Sequence, residues 1–246
     1  MIVFSRVVIE LSPGAPPALD DVSLTVPRGK LLALIGPSGG GKSTLMKAAA
    51  GLVPISSGEI HVDGVPVQGR TDDELWPVRS RMGMLFQQGG LFDTLSVLEN
   101  VSFPLARKGV CQDIARRRAL LELERVGLSD AAHLLPAQLS GGMRKRVGIA
   151  RALVTDPPVA LFDEPTAGLD PVTGARILDL LRAACDEREV TAIAAGHEVG
   201  IMLRACDSAA VLIAGRLAYA GPADTTLAAD DPNVRLYVAG IEEQVS

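Results

Sequence analysis

Aromatic side chains are scarce in this sequence. Five phenylalanines, two tyrosines and one tryptophan make up only 3% of 246 residues, so its core must be built from Leu, Val, Ile and Ala. Cysteine is scarcer still. Cys111, Cys185 and Cys206 are odd in number, far apart and without a CxxC pairing. That excludes a closed disulfide framework and favours a reducing, cytoplasmic setting. No apolar run approaches the roughly 18–20 residues that span a bilayer. The longest candidates, such as 209–214, are strand-length although the mean hydropathy is +0.27. A basic excess is missing too: the net charge of −5 argues against a broad nucleic-acid-binding surface. The opening MIVFSRVVIEL lacks the basic, apolar and small-residue regions of a leader and reads as a strand. There is no internal repeat, low-complexity tract or obvious linker.

What is present is an ordinary globular balance, 48% apolar and 22% charged, at a length one α/β unit can use. Short apolar runs between Gly and Pro turns (2–11, 22–26, 31–35, 59–62) predict a strand-rich first third. The unbroken run Leu31–Ile35 predicts a strand buried on both faces. A helix follows from Lys42 to about Ala50, ended by Gly51. From about Asp93 to Leu139 charges crowd together. Ile114, Leu120, Leu121 and Leu123 recur near helical spacing there, which predicts an inserted helical lobe. After Gly142 the pattern runs helix, strand, helix, strand (143–153, 159–162, 172–187, 190–195), then a strand at 209–213. That alternation predicts a parallel sheet flanked by helices.

Gly36, Pro37, Ser38, Gly39, Gly40, Gly41, Lys42, Ser43 and Thr44 fit G-x-x-x-x-G-K-[ST] between a buried strand and a helix. Glycines let successive amides turn toward phosphate oxygens, and the helix N-terminus adds the positive end of a dipole. Lys42 supplies a compact charge for the β- and γ-phosphates, and the Ser43 hydroxyl suits Mg²⁺. A second chemical element is the strand 159–162 ending in Asp163 and Glu164. Asp163 is the candidate to hold Mg²⁺ beside Ser43, and Glu164 the candidate general base for an attacking water. Taken alone, such an acidic pair before Pro165 serves equally well as a turn or a helix cap.

Leu139-Ser-Gly-Gly-Met143 opens the next helix. Ser140 as an N-cap explains the serine but not the paired glycines. Here the sequence resembles the ABC ATPase family, whose LSGGQ signature lies at this point. The resemblance implies that Ser140, Gly141 and Gly142 bind the γ-phosphate held by a second copy, in an ATP-sandwiched dimer. It also matches Gln87 to a glutamine that contacts Mg²⁺ and water and faces a permease. Asp170, in Ala167-Gly-Leu-Asp170, matches a loop that crosses the dimer interface. His197 matches a switch histidine that touches the γ-phosphate. His61 and His133 have no such context.

The implied fold is an α/β P-loop NTPase of the ABC type, with a RecA-like core, an antiparallel β lobe and an inserted helical subdomain. Residues 1–240 would form the ATPase domain: 1–92 and 143–225 its core and β lobe, 93–142 the helical part. Residues 226–246 would be a tail. The implied activity is ATP hydrolysis coupled to transport. A chain with no spanning segment must share that transport with a permease dimer, sitting on the cytoplasmic face of the inner membrane. ABC ATPases that act on DNA or ribosomes carry two cassettes, a long coiled coil or zinc motifs, none of which is present. Unrelated P-loop kinases and GTPases need neither LSGG nor the later histidine.

Three departures stand out. Met143 replaces the signature glutamine, and methionine is a weak hydrogen-bond partner. No ring lies at 9–13 to stack on adenine; Leu11 offers an aliphatic substitute, which leaves ATP against GTP open. His197 is followed by Glu198 in place of the more usual Asp. The segments Phe86–Ser96 with Glu99-Asn-Val and Phe103-Pro-Leu, LSGGM itself, and Asp231-Pro-Asn-Val-Arg-Leu-Tyr-Val-Ala-Gly240 resemble the Mla/Mce branch, which energises lipid movement between membranes. That branch implies an MCE-domain protein and often a small STAS-domain protein as companions. A generic solute importer is the alternative.

Overall fold

The computed structural model describes residues 1–12, 14–86 and 90–240. The chain begins with β1 (Ile2–Ile9), β2 (Leu19–Val26) and β3 (Leu31–Ile35), then α1 (Lys42–Ala49), β4 (Ser57–Val62) and β5 (Val65–Pro66). Next come α2 (Asp72–Arg79), β6 (Met82–Leu85), α3 (Val97–Arg107), α4 (Gln112–Arg125) and α5 (Gly141–Leu153). The last part holds β7 (Val159–Asp163), α6 (Pro171–Arg188), β8 (Thr191–Gly196), α7 (Val199–Ala205), β9 (Ser208–Ile213), β10 (Arg216–Pro222) and α8 (Pro232–Val238).

The strands form two sheets, one of order β2-β1-β4-β5 and one of order β10-β9-β3-β8-β7-β6. The first is antiparallel throughout. In the second, β6, β7, β8, β3 and β9 run parallel, as the alternating pattern predicted. The edge strand β10 does not. It pairs antiparallel with β9 because Ala214 and Gly215, both at positive φ, form the two-residue turn that joins neighbouring strands directly.

β3 explains why its sequence is continuously apolar. Leu32 and Leu34 enter the core under the antiparallel sheet, with Leu45 and Met46 of α1. Leu31, Ala33 and Ile35 enter the opposite core, with Ile177, Leu178 and Leu181 of α6. Such a strand has no wet face, so alternation never shows in its sequence. Its start is locked to β9 by Asp207, which accepts the Leu31 N–H at 2.9 Å and Lys30 Nζ at 3.0 Å and pairs with Arg182. Burial alone would raise the Asp207 carboxyl, but these donors outweigh it and hold it below the usual aspartate value.

A third core joins α3, α4 and α5 through Val97, Val101, Leu105, Leu123, Val147 and Ala150. The helix expected around Ile114–Leu123 forms, but of the four apolar residues that marked it only Leu123 is buried. Ala115, Ala119 and Leu123, at i, i+4 and i+8, make the contact stripe, while Ile114, Leu120 and Leu121 are exposed. Small side chains let α4 approach α3 closely, a signal that apolar counting overlooks. α3 is started by a reciprocal capping box between Ser96 and Glu99.

Candidate functional site

The phosphate loop spans the gap between β3 and α1, and its backbone is wedged rather than draped. A Cβ at Gly36 would lie 2.0 Å from the Leu212 carbonyl oxygen of β9, so only glycine fits there. Lys42 is buried and donates to the carbonyls of Gly36 at 2.7 Å and Pro37 at 3.1 Å, which curls the loop around its ammonium. Ser38 and Gly39 stand at the exposed tip, and Thr44 is half-buried on the first turn of α1. Among the described residues no side chain caps α1, as none caps α4 or α7, whereas Thr71, Ser96, Ser140 and Asp170 cap α2, α3, α5 and α6. The first amides of α1 therefore meet no capping side chain, the arrangement that suits an anion.

The acid end of β7 lies beside this loop. Ser43 Oγ donates to Asp163 Oδ1 at 3.1 Å, bringing a hydroxyl and a buried carboxylate to one point. Two hard oxygen donors at the edge of a phosphate cradle fit Mg²⁺, which takes few protein ligands and completes its shell with phosphate and water. Glu164 follows at φ 54°, a left-handed conformation uncommon for a side chain other than glycine. It is held there by its N–H donating to Ala195 O at 2.9 Å and by its own carbonyl accepting from Lys145 Nζ at 2.7 Å. The result is a buried carboxylate whose Oε2 has no hydrogen-bond partner among the described residues. His197 Nδ1 sits 3.1 Å from that oxygen, within ion-pair distance but off the line of a hydrogen bond. Backbone strain and an orphaned buried acceptor at one residue mark a group arranged for a reacting partner.

The ABC transporter family pattern matches residues 19–167, more than half of the chain and including the phosphate loop, the LSGGM turn and both acids. The chain belongs to the ABC transporter family. Its part in that family is the ATP-binding, ATP-hydrolysing domain. It is 42% identical over 233 residues to the methionine import ATP-binding protein MetN of Rhizobium etli, covering 94% of this chain and 64% of that protein. It is 38% identical over 225 residues to the intermembrane phospholipid transport system ATP-binding protein MlaF of Escherichia coli K12, covering 91% of this chain and 84% of that one. Its fold superposes with a TM-score of 0.84 on a dimeric ATP-binding cassette in a post-hydrolysis state bound to ADP and Pi. Identity there is 33%, with coverage of 91% and 99%. The expected P-loop architecture of two sheets and flanking helices is thus the observed one.

Within this ABC domain the remaining expected residues fall in separate places. Ser140 caps α5 by accepting the Met143 N–H at 3.2 Å, so the capping reading holds as geometry, and Met143 contributes through its backbone. Ser140 and Gly141 are exposed, and Gly142 faces Leu169. Asp170 caps α6, accepting from Val172 and Thr173 amides at 3.1 and 3.0 Å. Bonds from Thr173 hold its carboxyl below the usual range. His197 is half exposed at the end of β8. Leu11 is 64% exposed, a free aliphatic surface of the kind considered for a base. Gln87 lies outside the described residues.

Lys145 was not singled out from the sequence, where it reads as one charge in a basic helix. Its ammonium reaches from α5 to the carbonyls of both Glu164 and Ala167. Burial lowers its pKa, opposed by the carboxylates of Glu164 and Glu198. It therefore ties the helix of the LSGGM turn to the backbone of the strand-end acid. Lys145→Met keeps the stem and removes the donor. Leaving two carbonyls without a charged partner should cost about 2–3 kcal/mol, read as a lower urea midpoint with an unchanged m-value.

Proposed function

We propose that this chain is the ATPase subunit of a transporter that moves phospholipid between membranes, working as a dimer beneath a permease. The observation that carries the ATPase half is the meeting of Ser43 and Asp163 at the phosphate loop, with the Glu164 carboxylate next in sequence. In this reading Lys42 and the first amides of α1 bind the β- and γ-phosphates. Ser43 and Asp163, with Gln87, hold Mg²⁺, which when bound draws charge from the phosphate oxygens. Glu164 takes the proton of the attacking water, and His197 steadies the γ-phosphate side. Ser140, Gly141 and Gly142 of a second copy close the sandwich, and Asp170 lies at the junction. Support for the dimer comes from the solvent-facing LSGGM turn and from the dimeric form of the similar cassettes.

A groove of about 250 Å³ between α2, β6 and α3 favours a permease helix as the other partner. Exposed Trp76 and Phe103 line it, with Arg79, Arg107 and Arg151, and Arg107 lies over the Trp76 ring at 5.7 Å. The lipid reading is supported by the tail. Asp231 caps α8, Pro232 opens it, and Val234 and Tyr237 are fully buried, so each position of the branch-like pattern has a structural task. Similarity to a methionine importer ATPase supports the second reading, an importer of a small solute. Purification from native membranes in mild detergent, followed by mass spectrometry, separates them. A permease with an MCE-domain protein and phospholipid, with or without a small STAS-domain protein, is the expected result. A permease with a receptor for a soluble substrate would move the chain to the solute importers.

A further inference from the structure

Tyr237 is a residue the ATPase chemistry does not use, yet it reaches the nucleotide site. It is 1% exposed, on the last turn of α8, in the core shared with Ile35, Val211 and Val234. Its hydroxyl oxygen accepts the Gly36 N–H at 3.2 Å, across 201 residues of sequence. Gly36 is the first residue of the phosphate loop, and its own carbonyl accepts from Lys42 Nζ at 2.7 Å. The same residue has no room to shift toward β9, where the Leu212 carbonyl already blocks a Cβ. A buried amide left without an acceptor is costly, and a buried tyrosine hydroxyl is placed where it meets a partner.

We propose that Tyr237 is a positioning residue for nucleotide binding: α8 fixes the first peptide of the phosphate loop through the tyrosine hydroxyl, and thereby sets affinity for ATP. Gly36 is the link. Its N–H is held by the tail and its C=O by the lysine that meets the phosphates, so the geometry of Lys42 depends on both ends of that residue. Phosphate loops bind by presenting amides already oriented for the ligand, and any motion at the loop's base must be frozen again on binding. The tail is itself firmly seated. Asp231 accepts the Asn233 N–H at 2.8 Å, and Arg235 donates back to Ala229 O at 2.8 Å and to Asp230 O at 3.1 Å. Nothing here depends on what is transported; the inference rests only on ATP binding at the loop.

Tyr237→Phe keeps the ring and removes the acceptor. Isothermal titration with ATP and steady-state ATPase assays should show Kd and KM raised about 3- to 10-fold, the range for loss of one buried hydrogen bond. kcat should stay within about twofold, since the groups that react are untouched. Val234→Ala loosens α8 in the same core without touching the hydroxyl. It should lower Tm at least as much while leaving Kd within about twofold. Unchanged Kd in Tyr237→Phe, or equal weakening in both variants, would overturn the proposal in favour of a packing role. As a check that needs no variant, the Gly36 amide of the wild type should resist hydrogen exchange with and without ATP, and free exchange would also overturn it. A wild type that binds no ATP would instead reject the nucleotide reading on which the inference rests.

Discussion

Replacing Glu164 by glutamine is expected to slow ATP hydrolysis by about 10²–10⁴-fold while leaving ATP affinity intact. Glutamine matches the shape of the carboxylate and keeps the backbone bonds to Ala195 and Lys145, because both run through main-chain atoms. What it removes is the proton acceptor, a buried carboxylate oxygen without a hydrogen-bond partner among the described residues. Binding relies on other groups, so the variant should accumulate as the ATP-bound closed dimer, visible as a shift to twice the mass in size-exclusion chromatography with light scattering. A Glu164→Gln protein that hydrolyses ATP at nearly the wild-type rate would remove Glu164 from the role of base.

Lys42→Ala acts at the opposite step. The ammonium bridges two loop carbonyls, so its loss opens the curl of the loop and, in the proposed reading, removes the phosphates' main charge partner. Charge-assisted hydrogen bonds contribute roughly 1.5–3 kcal/mol each, so losing two should weaken ATP binding by on the order of 100-fold or more. The protection that ATP gives the wild type against thermal unfolding should disappear with it, since stabilisation follows ligand over Kd. Tight ATP retention by Lys42→Ala would exclude the loop as the phosphate site. The two variants separate cleanly: one binds without turnover, the other neither binds nor turns over.

Much of this was legible beforehand because the chemistry forces it. A loop that wraps phosphates needs glycines and a lysine in fixed order, and a strand that delivers carboxylates to it must end in them. Strands buried on both faces announce themselves as apolar runs, as β3, β7 and β9 do. α4 was legible as a helix but not in its packing, because Ala115 and Ala119 share the contact with Leu123 while Leu120 and Leu121 stay exposed. β10 stayed hidden because half-buried edge strands lack the apolar run that marks central ones. Lys145 could not be found by pattern at all, and the tail pattern that includes Tyr237 gives no sign of its contact with the loop. Each acts on a backbone atom brought close only by the fold, Lys145 on carbonyls 19 and 22 positions away and Tyr237 on an amide 201 positions away.

The strand order bears on how such a chain is made. β3 and its loop leave the ribosome early, but both of β3's neighbours, β8 and β9, belong to the last third of the polypeptide. The carbonyl that wedges Gly36, the carbonyl that holds Glu164 and the hydroxyl that meets the loop's first amide all arrive late in translation. A nascent chain shorter than this has the phosphate-loop sequence without its supports. Any ligand held by the folded loop can therefore stabilise the chain only after these late segments have been made.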